Sequence, residues 1–238
     1  EVRNGLPILG EMEPGQTFSM RGTQYRYLEN KGDGNHLVIT TAGQFNSAWN
    51  TNAGVDSYNG STLDNNMKNW HDNLPSVVRR QVQPVQKEFT GTGPDAMIND
   101  PSWITPNGNF IGAPIPIVGT ERAFILDFEH PAFPAALKND FAEVDPNGEK
   151  KAFALSVAEL NHLSGPGKAF PTMHSRRHLG WLRTPFDSGH PWVIVHGDVW
   201  GVLGSFIIAS NASVSAEGGF TPSALILRDQ DGAWTSGF

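Results

Sequence analysis

The chain has 238 residues, with 17 Lys+Arg against 24 Asp+Glu and a formal net charge of -7. It is long enough to bury a substantial core without covalent staples, and it has no basic block that could follow a phosphate backbone, so nucleic acid is not an expected partner. The absence of cysteine removes disulfides and thiolate metal sites. The lack of any run of eighteen apolar residues, together with an opening "EVRNGLPILG" unlike a signal peptide, predicts a soluble chain that does not insert into a membrane.

The first elements are strands. In "GQTFSMRGTQYRYLENKGDGNHLVITTAG", Phe18, Tyr25 and Tyr27, then Leu37, Val38 and Ile39, form short β-prone runs around Lys31-Gly32-Asp33-Gly34, the pattern of a hairpin or meander. The period then changes. Leu63, Met67, Trp70 and Leu74 recur at i, i+4, i+7 and i+11, which predicts one apolar helix face, with Ser61 as N-cap, Asp64 at its third position and Pro75 as the stop. Next, "VVRRQVQPVQKEF" alternates β-branched and polar residues, and Pro84 restricts it to an edge strand or extended link.

Residues 91–120 are crowded with proline and glycine and read as a long ordered loop. "ERAFILDF" reads as a buried strand. "KAFALSVAEL" reads as a strand entering a short helix, with Ser156 and Glu159 as a capping box. Toward the end, "GWLRT", "WVIVHG", "DVWGVLG", "SFIIASN" and "SALILR" are short strands bounded by turn residues, expected to form one closing antiparallel sheet. The class is therefore α+β: two helices, antiparallel sheets and long loops in a single domain spanning 1–238.

The order "YNGSTL", "FALSVAEL", "GWLRTP", "VIVHGDVWGV" and "GGFTPSALIL" resembles a family of uncharacterised bacterial surface-protein domains with the pattern Y-x-G-S-x-L, F-x-L-S-x-E-E, W-L-R-S-P-G, V-x-x-x-G, G-V-R-P-A-L. That family is similar to the C-type-lectin-like fold of formylglycine-generating enzymes and of the variable proteins of diversity-generating retroelements. The resemblance covers residues 14–228. Trp181, Leu182, Arg183 and Pro185 match its first closing block, and Gly219, Pro222, Ala224 and Leu225 its last. Phe186 replaces the usual Gly, Thr221 stands where Arg is expected, and the 91–120 insertion exceeds the pattern.

The resemblance implies a C-type-lectin-like fold whose functional region lies between the two blocks. Catalysis like that of the formylglycine-generating relatives needs cysteines, which this chain lacks. Calcium-dependent sugar sites of this fold use Glu-Pro-Asn or Gln-Pro-Asp followed by Trp-Asn-Asp, and none of these tripeptides occurs here. No cofactor or metal is expected. Two other patterns suggest a hydrolase: Asp127 and Glu129 on one strand face, and the H-x3-H pair His174 and His178 at metal-ligand spacing. An ordinary half-exposed strand and solvated histidines explain them as well.

Residues 187–213 mix aromatics with small polar groups on a β framework, the composition of a recognition surface. Trp181 is expected in the core, and Trp192 is assigned equally to core or surface. His196, Asp198, Trp200, Phe206, Asn211 and Ser213 are the candidate ligand-binding residues. The expected function is non-catalytic binding of a protein or glycan receptor at a cell surface, outside the cell or on a phage particle. A hydrolase and a structural module of a surface or tail assembly are the alternatives.

Overall fold

A computed structural model describes residues 2–3, 6–32, 34–45, 47–51, 58–84, 114–116, 122–125, 149–176, 180–187, 190–195, 198–202 and 224–228. Two short strands, β1 (Val2–Arg3) and β2 (Leu6–Pro7), pair with each other. The expected meander follows as β3 (Thr17–Met20), β4 (Thr23–Gly32) and β5 (Asn35–Thr40). Arg21 and Gly22 both have positive φ, 50° and 81°. Such a two-residue connection twists with the strands it joins, so β3 and β4 pair in register without splaying. Tyr27 pairs with Val38 but Glu29 with Leu37, and the bulge between them lets the adjacent Tyr27 and Leu28 both be buried.

Helix α1 (Thr62–Asp72) starts where its cap predicts: the Ser61 hydroxyl accepts the Asp64 N–H at 3.1 Å. Leu63 and Met67 are fully buried, Leu74 is buried, and Trp70 packs against the core only half-buried. Pro75 ends α1 but at once heads a single helical turn, α2 (Ser76–Arg79), which buries Val78. This corrects the edge-strand reading of "VVRRQ": a proline is tolerated at a helix start, where its missing N–H has no intrahelical acceptor. Within 91–120, residues Pro114–Pro116 form β6; the rest of that segment lies outside the described residues. The strand expected in "ERAFILDF" is β7 (Arg122–Ile125). β8 (Ala152–Phe153) leads into α3 (Val157–His162), making three described helices where two were expected.

The closing strands β9 (Trp181–Asp187), β10 (His190–Val195) and β11 (Asp198–Val202) form an antiparallel sheet with β7 and β6, in the order β6-β7-β11-β10-β9. β9 runs on through Pro185, which an edge strand allows. The last strand, β12 (Ala224–Arg228), does not join this sheet. It inserts between β5 and β8 in a second sheet ordered β3-β4-β5-β12-β8, which corrects the expectation of a single closing sheet. "SFIIASN" lies outside the described residues. Buried side chains from both sheets, α1, α2 and α3 form one hydrophobic cluster, with Trp49, Tyr58, Phe153, Phe170 and Trp181 among its largest members. Among the described residues no helix is long and apolar enough to cross a membrane.

Candidate functional site

Of the six candidate ligand-binding residues, the described backbone includes two. Asp198 and Trp200 are the first and third residues of β11; Asp198 pairs with Val195, and Trp200 with Val193. Val193 in turn pairs with Trp181, and both are buried. His196, Phe206, Asn211 and Ser213 lie outside the described residues, as do Asp127, Glu129 and His178. His174 is exposed, in the 3-10 turn Met173–Arg176. Trp192, assigned equally to core or surface, is a core residue.

Beneath this sheet the side chains are tightly fixed. Arg183, fully buried on β9, donates from both terminal nitrogens to the two carboxylate oxygens of Glu159, each at 2.7 Å, and from one of them to the Ala154 carbonyl, also at 2.7 Å. Its guanidinium lies 5.7 Å from the centre of the Phe153 ring. Glu159 completes the expected capping box, accepting the Ser156 N–H at 3.0 Å while the Ser156 hydroxyl accepts the Glu159 N–H at 3.1 Å. The planar fork of arginine matches a carboxylate in two parallel bonds, so one side chain sets both distance and angle between β9 and α3. Further bonds tie β9 to α3 and to residues 47–49. The Val157 N–H donates to the Thr184 hydroxyl at 3.0 Å, Trp181 Nε1 to the Ser47 carbonyl at 2.8 Å, and Trp49 Nε1 to the Leu182 carbonyl at 3.1 Å.

A second site, unforeseen in the sequence, is a cleft of about 450 Å³ between α1 and residues 149–152. Asp64, Lys68, His71 and Asp72 line it from the helix, and Asn59, Glu149, Lys150 and Lys151 line it from the flanking segments. The four helix residues recur at i, i+4, i+7 and i+8, a stripe beside the apolar one and displaced by one position from Leu63, Met67 and Trp70. That displacement was the available signal.

Asp64 is only 3% exposed. Its Oδ2 accepts the Gly60 N–H at 2.8 Å and pairs with Lys150, which also donates to Asn59. Its Oδ1 is buried with no hydrogen-bond partner. His71 is 8% exposed, and its Nδ1 lies 3.2 Å from the exposed carboxylate of Asp72. Burial pushes the His71 pKa below its ordinary value, opposed by Asp72 and assisted by the charges of Lys151 and Arg79. In the neutral ring the carboxylate can only accept, so the proton sits on Nδ1 and Nε2 is left an acceptor. That Nε2 is also buried without a partner.

The rim of the cleft carries both signs of charge, from Asp64, Asp72 and Glu149 and from Lys68, Lys150 and Lys151. Among the described residues no group of three or more His, Asp or Glu side chains is placed to hold a metal ion. Compared with known protein families, curated proteins and solved structures, the chain matches no family model, no curated protein and no solved structure.

Proposed function

We propose that this chain is a non-catalytic domain of C-type-lectin-like fold that binds a protein or glycan receptor outside the cell or on a phage particle. The binding surface is carried by the β9–β10–β11 sheet and the segment that follows it, through His196, Asp198, Trp200, Phe206, Asn211 and Ser213. The observation that carries this reading is the bidentate bond between Arg183 and Glu159. It ties together two of the blocks on which the resemblance rests, "FALSVAEL" and "GWLRTP", and it anchors the strand from which the proposed surface is built. A scaffold fixed in this way loses little entropy when its side chains engage a partner, which suits a recognition surface.

The test uses the full chain on a glycan array and on fixed bacterial cells of several species, alongside the Trp200→Ala variant. Binding to at least one array member or cell type is expected, weakened in the variant by about 2 kcal/mol, the usual cost of losing an aromatic hot spot, with thermal stability nearly unchanged. Failure to bind any of them sinks the reading. A variant that melts at a much lower temperature instead makes Trp200 a core residue and removes it from the surface.

A further inference from the structure

We propose that Lys150 and Asn59 become joined by an isopeptide bond, formed within the folded chain, with Asp64 carrying the protons of the reaction. The modification is independent of the sheet surface proposed above.

The three groups already meet. Lys150 Nζ donates to Asn59 Oδ1 at 2.5 Å and also to Asp64 Oδ2. A carbonyl bond is about 1.23 Å long, so a donor this near the oxygen lies within about 3.7 Å of the carboxamide carbon, close to the roughly 3–3.5 Å of a near-attack arrangement. Gly60, at φ 82°, turns the chain between Asn59 and α1, and its N–H holds Asp64 Oδ2 at 2.8 Å. Asn59 and Asp64 thereby reach the same ammonium.

The surroundings divide the roles. The Asp64 side chain is 4% exposed and that of Lys150 20%, and the ring of the fully buried Tyr58 lies 5.8 Å from Nζ. The carboxylate and the ammonium touch directly, so a proton passes between them without an intervening water. Asn59 is exposed, which gives a small leaving group a way out. The acyl partner is Asn59 and not Asp64, because the charge of a carboxylate repels an incoming electron pair and a carboxamide carries none.

An ammonium is no nucleophile, so the step begins when Nζ passes a proton to Asp64. The freed nitrogen pair attacks Asn59 Cγ, the Nζ–Cγ bond forms, and the Cγ–Nδ2 bond breaks. Asp64 delivers to the departing nitrogen both protons that Nζ sheds, and that nitrogen leaves as ammonium. One ammonium and one amide become another ammonium and another amide, with no oxidant or reductant. The new bond ties the entrance of α1 to a segment 91 residues away. In a chain without cysteine it restricts the unfolded state as a disulfide would.

The experiment is the intact mass of the purified full chain, followed by tryptic mapping with tandem mass spectrometry. A mass about 17 Da below that of the sequence is expected, from the loss of ammonia, with one branched peptide joining the chain around Asn59 to that around Lys150. Lys150→Arg, Asn59→Ala and Asp64→Ala are each expected to show the full sequence mass, and Lys150→Arg to run more slowly than the native chain on a denaturing gel. An undiminished native mass overturns the proposal. So does the same loss persisting in Lys150→Arg, which assigns it to closure of Asn59 on the Gly60 nitrogen, or a loss of about 18 Da with Asp64 as the branch point. Full cross-linking in Asp64→Ala also overturns it.

Discussion

At the scale of single residues, two buried groups govern how the fold responds to change. Arg183 is fully enclosed, and its charge is answered by Glu159, whose side chain is 11% exposed. Removing one partner strands the other, so Arg183→Met and Glu159→Gln are each expected to destabilise by about 3–5 kcal/mol in urea unfolding. The double variant is expected to lose less than the sum, and simple additivity would show that the pair does not act as a unit. His71 makes the opposite kind of demand. Its pKa is depressed in the folded state, so in the window between that lowered value and the ordinary histidine value of about 6.5 the unfolded chain binds more protons than the folded one. Its contribution is fully present above that window and is lost as pH falls through it. Melting temperature is thus expected to drop on acidification from about pH 7.5 to about 5.5, and to drop less steeply in His71→Gln. Parallel curves for the two proteins would remove His71 as the source.

At the scale of elements, α1 shows what a local pattern can and cannot reveal. Its cap, its apolar period and its stop lie in one short stretch, Ser61 to Pro75, and all three were legible as sequence. The depth of each side chain was not, because it depends on what packs alongside. Trp70 shares the apolar face yet remains half-buried, whereas Met67 is fully enclosed. Met67→Ala is therefore expected to cost about 2–5 kcal/mol and Trp70→Ala less than the 3–5 typical of an enclosed tryptophan, measured by urea unfolding of the two variants side by side. The burial of Asp64 and His71 was invisible for the same reason, since the segment covering them, 149–152, is remote in sequence. The capping box of α3 and the "WLR" block were each readable alone. The bond joining them was not, because nothing in either block specifies that the guanidinium of one turns toward the carboxylate of the other.

At the scale of the whole molecule, the class of mixed helices and antiparallel sheets followed from alternating periods and turn residues, whereas the distribution of strands between sheets did not. Alternation identifies a strand but says little about its neighbour, and the strand "ALILR" reads equally well beside either sheet. Its true position, between β5 and β8, pairs Ala224 with Ile39, residues far apart in the chain. That pairing has a consequence in time. During synthesis the meander emerges before β12, and the edge of β5 that awaits β12 stays uncovered until the long intervening chain has left the ribosome. Contacts so distant in sequence form slowly, and an uncovered strand edge is where one copy of a nascent chain can pair with another. The interval between the birth of β5 and the arrival of β12 is thus a time when one copy of the chain is open to pairing with another.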